Sequence, residues 1–291
     1  MTWRCTGVAW PAEARIAVLR WEGGRISPLT PGKRLGFRAD GERVCVGARG
    51  NPCPLRAGVP GRAARALCRE CAALDRVGSV AADGVPDDPR TYRVYLAWFG
   101  PGMVKVGITA EERGPARLLE QGAVVFSWLG RGPLMAARRT EEVLRSALGV
   151  PDRIAYAEKR AVRPLLAADP AERAAEVEEL HRRALAVGGW TETLHPLPYE
   201  PFDHAAAFGL DRLAPAAPVV RQLVDGGAVA GTLVAVAGPD LHLDTGEGRQ
   251  VVLDTRLLAG WSLVGADPAS GVSVPLADAA ARSGGTQDGL F

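Results

Sequence analysis

Four of the five cysteines fall in one short stretch, at Cys45, Cys53, Cys68 and Cys71. If one ion holds all four, separate pieces of backbone must meet at a point, which constrains the fold more than any hydrophobic pattern does. Cys68 and Cys71 form a C-x-x-C, whose turn sets two thiolates on one Zn²⁺ without strain. Seven residues lie between Cys45 and Cys53, a looser spacing, but Gly47, Gly50, Asn51, Pro52 and Pro54 keep that loop compact. The cluster reads as a structural Zn²⁺ site, because four protein ligands leave no open position for chemistry. A redox C-x-x-C is the competing reading, though no βαβ pattern surrounds it; free buried thiols are a third. Cys5 stands apart and reads as a lone core residue.

Clustered cysteines fit a reducing cytoplasm better than a secreted disulfide scaffold. Met1-Thr2-Trp3-Arg4-Cys5 leads into no apolar signal segment, and no apolar run is long enough to span a bilayer. A cytoplasmic protein without a membrane partner is expected.

The 291 residues allow two or three small domains. The pattern predicts an α+β protein. Residues 1–44 alternate in the strand manner with turns at Gly23-Gly24 and Pro31-Gly32, predicting a small antiparallel β domain. Residues 45–76 form the cysteine module and 77–90 a polar linker. Residues 91–153 form a central hairpin-led domain. Residues 158–190 read as a helical connector, broken at Pro164 and restarted at Asp169-Pro170, where Asp caps and Pro fits the first turn. Residues 217–264 are again strand-like, predicting a second small β-sheet or barrel. Residues 266–291 lack periodicity and read as a disordered tail.

The formal net charge of +2 says little, but its distribution says more. From Lys33 to Arg76 ten basic residues face four acids, Asp40, Glu42, Glu70 and Asp75. Such a surplus favours a polyanion, with Arg62, Arg65 and Arg69 as the candidate contacts to nucleic acid. The competing reading is a plain solvated surface.

The central domain opens with Val94-Tyr95-Leu96 and continues with Lys105-Val106-Gly107-Ile108-Thr109, separated by the turn signal Gly100-Pro101-Gly102. A helix with Arg117 follows, then a strand, then a helix carrying Glu141. Leu134, Ala137, Glu141, Leu144 and Leu148 recur at helical spacing, which puts Glu141 on the apolar stripe, where a carboxylate needs a cation or a donor. Glu142, flanked by Arg138 and Arg145, reads as an exposed ion-paired residue.

This order of tyrosine, glycine, arginine and glutamate on a β-β-α-β-α frame resembles the GIY-YIG nuclease domain, over about a fifth of the chain. The resemblance implies metal-assisted phosphodiester hydrolysis, with Tyr95 helping to activate water, Arg117 clamping the phosphate and Glu141 holding Mg²⁺ or Mn²⁺. Gly107 matches the glycine of the second motif. That motif departs from the family at Val106, taken as its tyrosine position, and the adjacent Lys105 supplies positive charge. The wider layout, with C-x-x-C, Val94 to Ala97, Lys105 to Thr109 and Arg117 to Ala123, also resembles an uncharacterised bacterial family with a zinc module.

No nucleotide-binding glycine loop is present, and His181, His195, His204 and His242 lack metal spacing. The expected function is nucleic-acid binding, to DNA or RNA, on a degenerate GIY-YIG-like fold with structural zinc. A divalent-metal nuclease is the first alternative and a protein-interaction scaffold the second.

Overall fold

The computed structural model describes residues 2–11, 16–77, 88–151 and 153–278. It is a mixed α+β protein built on two sheets. The strands are β1 (Trp3–Ala9), β2 (Val18–Trp21), β3 (Ile26–Pro28), β4 (Arg34–Asp40), β5 (Thr91–Trp98), β6 (Val104–Ala110), β7 (Val125–Pro133), β8 (His195–Pro196), β9 (Phe202–Asp203), β10 (Val219–Val220), β11 (Ala228–Ala237), β12 (Asp240–Asp244), β13 (Gln250–Asp254), β14 (Ser262–Gly265) and β15 (Leu276–Ala277). The helices are α1 (Arg69–Val77), α2 (Ala116–Gln121), α3 (Leu134–Leu148), α4 (Tyr156–Val162), α5 (Pro170–Ala186) and α6 (Ala205–Phe208).

The larger sheet has ten strands in the order β15-β10-β13-β12-β11-β4-β14-β1-β2-β3. It corrects the expectation of two separate β units. β4 pairs on one side with β11 (Phe37 opposite Val229) and on the other with β14 (Leu263 opposite Ala39), so residues from both ends of the chain share one ladder. Alternating patterns mark a segment as a strand but do not name its partner. The ladder ends in β15 and β3 and does not close into a barrel. The expected disordered tail also needs correction up to residue 278: Ala266 N–H donates to Gly36 O at 3.0 Å, and β15 pairs with β10. Residues 279–291, and residues 78–87 of the expected linker, lie outside the described residues.

The smaller sheet runs β6-β5-β7, with β8 and β9 both on the outer edge of β7. Alternation along β5 splits its side chains. Tyr92, Val94, Leu96 and Trp98 join the main core, whereas Tyr95 and Ala97 face a smaller apolar cluster with Leu118, Phe126 and Trp128. Helices α3 and α5 pack on this sheet. Asp169 caps α5, its Oδ1 accepting from Ala171 N–H at 3.0 Å, with Pro170 in the first turn. Among the described residues no helix is long and apolar enough to cross a membrane.

Candidate functional site

The cysteine cluster is assembled from a hairpin and a helix start. Ala48 and Asn51 exchange both backbone hydrogen bonds, at 3.0 and 2.9 Å, across Arg49 and Gly50. Both of those residues have positive φ, 52° and 80°, the conformation of a two-residue hairpin turn. This turn folds Cys45 back onto Cys53 despite their loose spacing. Gly47 just before it has φ 89°, and a β-carbon there would overlap Asn51 O and stand 2.7 Å from Cys53 N. Cys68 immediately precedes α1, and Cys71 lies in its first turn.

The four sulfurs lie within 4.8 Å of one another, and Cys53 Sγ is 3.9 Å from Cys68 Sγ. Zn–S bonds of about 2.3 Å in a tetrahedron separate sulfurs by about 3.8 Å, so a small contraction closes the set on an ion. Backbone amides already point at the sulfurs. Cys68 N–H and Gly47 N–H donate to Cys45 Sγ at 3.2 and 3.4 Å, and Cys71 N–H donates to Cys68 Sγ at 3.5 Å. Amide donation from Ala57 and Leu55 brings Cys53 down to about 7, while burial pushes the Cys71 thiol up. The four cysteines could therefore hold a metal ion such as zinc. Cys5 is buried and is not part of this set, and burial pushes its thiol to about 12.

Arg43 fastens this module to the large sheet. It is buried, and its guanidinium donates to Ala259 O, Arg256 O, Pro60 O and Ala63 O at 2.7 to 2.9 Å. One of the ten cations of the basic segment is thus a structural pin. Arg62, Arg65 and Arg69 are exposed, and Arg65 pairs with Asp75.

The second constellation surrounds Tyr95. Tyr95 is only 2% exposed, and its Oη accepts from Gln121 Nε2 at 2.9 Å. Burial raises its pKa above the ordinary phenol value; the Gln121 amide and the Arg117 guanidinium oppose that rise, and the Glu141 carboxylate adds to it. Arg117 and Glu141 thus both bear on the Tyr95 hydroxyl. Arg117 is exposed and Glu141 half-buried. The buried members of α3 are Leu134, Ala137, Thr140 and Leu144, so Glu141 lies at the margin of the apolar stripe and not at its centre. Glu142 is exposed and paired with Arg145 at 2.7 Å.

Alternation along β6 corrects the reading of the second motif. Gly107 lies opposite Tyr95 and Lys105 opposite Ala97, so both are on the Tyr95 face. Val106 points the other way into the main core. A tyrosine at 106 would not reach Tyr95; the side chain that stands there is the half-buried Lys105.

A model of a family of proteins of unknown function, DUF2797, matches residues 32–263. The chain belongs to this family. The span that matches DUF2797 contains the cysteine cluster, the Tyr95 constellation and most of the large sheet. No curated protein and no solved structure matches the chain.

Sequence reasoning missed the polar residues that lie between the two sheets of this DUF2797 protein. Lys159, on α4, is buried; its Nζ donates to Gln121 O at 3.0 Å and stands 3.7 Å from the Phe99 ring centre. Burial, together with the positive charges of Arg163, Lys105 and Arg117, lowers its pKa to about 7. On the same helix Arg160 Nη2 reaches Asp240 at 2.6 Å and Asp254 at 2.7 Å. Arg163 Nη1 meets Asp240 at 2.6 Å, and Arg256 meets Asp254 at 2.5 Å. Asp240 is fully buried; burial raises its carboxyl, but Arg163 and Arg160 outweigh that and hold it below the ordinary range. The available signal was weak: Arg160 on α4 and Arg163 just past its end are three residues apart, and they face Asp240, 80 and 77 residues away in sequence.

Proposed function

We propose that this protein binds nucleic acid, DNA or RNA, with Lys105 and Arg117 beside Tyr95 as the principal phosphate contact and Arg62, Arg65 and Arg69 of the cysteine module as a second. The observation that carries this reading is that Arg62, Arg65, Arg69 and Arg117 are all exposed, with Lys105 on the Tyr95 face of the smaller sheet. Exposed cations attract an anion, and a phosphodiester backbone supplies several in a row. A degenerate unit similar to GIY-YIG accounts for the order of strands and helices from β5 to α3, with zinc holding the cysteine module as structure. The buried phenol of Tyr95, neutral at physiological pH, is a poor general base, which favours binding over cleavage.

The test is fluorescence anisotropy with a labelled single-stranded DNA, its duplex and the RNA of the same sequence, over a salt series. Log affinity should fall linearly with log salt. Arg117→Glu with Lys105→Glu should weaken binding at least tenfold on every sequence. Absence of binding, or binding indifferent to salt, rejects the reading and leaves the interaction scaffold.

The nuclease is kept as a second reading because the charges of Arg117 and Glu141 both act on Tyr95. It calls for Mg²⁺ or Mn²⁺ at Glu141. Cleavage of the same substrates that depends on either ion, and is lost in Glu141→Gln, would select it over simple binding.

A further inference from the structure

A cavity of about 540 Å³ opens to solvent beside α4, on the side of the helix that carries Arg160. Ala161, Pro164, Val219 and Val252 are among its apolar walls, Arg160 and His242 supply polar groups, and Asp278 stands at its exposed rim. The size is that of a small-molecule site, and the composition, apolar with a few polar groups, is typical of one.

His242 is the feature the fold does not explain. It is 3% exposed, and neither Nδ1 nor Nε2 has a hydrogen-bond partner. Buried polar atoms are almost always paired, so an imidazole with both nitrogens unmet at a cavity wall marks a place where something else bonds. Burial, reinforced by the Arg163 charge, lowers its pKa to about 4, so at neutral pH the ring offers one N–H donor and one acceptor.

A cation stands beside it in the wall. Arg160 meets Asp240 and Asp254 through Nε and Nη2 alone, which leaves its Nη1 for a group in the cavity, while the acid of the lining, Asp278, is exposed at the rim. A group entering this cavity therefore gains most if it is an anion that accepts hydrogen bonds and carries apolar bulk to cover the walls.

We infer that the cavity binds a small organic acid with an apolar body, its carboxylate accepting from the His242 N–H beside Arg160 and its hydrocarbon part lying against Ala161, Pro164, Val219 and Val252. This site lies apart from the proposed nucleic-acid surface and stands whether or not that reading does.

Octanoate is the probe, titrated into the full chain by calorimetry, with octan-1-ol as the uncharged control. The expected result is saturable binding of one octanoate per chain, at least tenfold tighter than octanol. His242→Leu should weaken octanoate at least tenfold and bring it level with octanol. Ala161→Trp, which fills the cavity from its wall and leaves the ion network alone, should abolish both. Lack of saturable octanoate binding, equal binding of octanol to the unmodified protein, or wild-type octanoate affinity in folded Ala161→Trp would overturn the proposal. If His242→Leu does not fold, the octanol comparison and Ala161→Trp decide the matter.

Discussion

The phenol of Tyr95 lies over the bare α-carbon of Gly107: a β-carbon at 107 would overlap Oη and Cζ and stand 2.8 Å from Cε2. The two residues are directly opposite in the β5–β6 ladder, so their side-chain positions share one face. A glycine here has no positive φ to explain it; it exists so that the ring can cross its own sheet and meet Gln121. Gly107→Ala should push the phenol off Gln121 and destabilise the protein by about 1–3 kcal/mol, the usual cost of overpacking a core. Urea unfolding measures it. Tyr95→Phe in the same background should recover little, because the clash involves the ring as well as the hydroxyl. A stability within error of wild type for Gly107→Ala would contradict this account of the pair.

The cysteine module should bind about one zinc per chain, and Cys68→Ser should lower that content. Gly47→Ala should do the same without touching a ligand, because residue 47 has positive φ and a β-carbon there meets the backbone of Asn51 and Cys53. A chelator should lower the thermal midpoint of the wild-type protein and have less effect on Cys68→Ser. Elemental analysis of the three proteins, followed by thermal scans, checks the set. Full zinc content in Cys68→Ser would place the metal elsewhere.

The cysteines, the β5–β6 hairpin and the break at Pro164 were legible because each signal is local: a spacing, a turn dipeptide, a ring that cannot continue a helix. The spacing between Cys45 and Cys53 looked too long only until the turn at Arg49-Gly50 shortened it. The ten-stranded sheet was not legible, because nothing in Arg34–Asp40 says that both of its edges will be taken by strands about 190 and about 220 residues away. Val106 was misread because a motif was followed in sequence order, whereas a strand presents alternate residues to one face. Lys159 and Asp240 were invisible for a different reason. A charged residue in a helix or strand is ordinarily on the surface; here α4 sets Lys159 against Gln121 O and the Phe99 ring and Arg160 against Asp240, and both Lys159 and Asp240 end up buried.

Lys159 gives the protein a pH dependence of known sign. Burial, together with three neighbouring cations, lowers its pKa to about 7, well below the ordinary lysine value kept by the unfolded chain. Between those two values the unfolded state binds more protons, so stability should rise as pH increases from about 7 toward 9. Below pH 7 both states are protonated and the penalty of burying the charge is present in full. Urea midpoints at pH 7 and pH 9 should therefore differ in the wild type and converge in Lys159→Met. A midpoint that falls over this range, in a protein whose Lys159→Met variant behaves identically, would show that the ammonium is not strained by its site.

Asp240 should be the most costly single charge to remove. It is fully buried, and its two oxygens accept from Arg160 at 2.9 and 2.6 Å and from Arg163 at 2.6 Å. Asp240→Asn keeps the shape but leaves two guanidiniums with an uncharged partner, and Arg163 already has two nitrogens without one. Breaking a buried pair by removing one member costs about 3–5 kcal/mol, because the surviving charge stays desolvated. The loss should be smaller in Asp240→Asn combined with Arg163→Met, where the charge and its counter-charge leave together. That comparison separates the worth of the pair from the penalty of stranding one partner. Denaturant titration of the two single variants and the double variant closes the cycle. Additive losses would mean that Asp240 and Arg163 act independently, although they lie 2.6 Å apart.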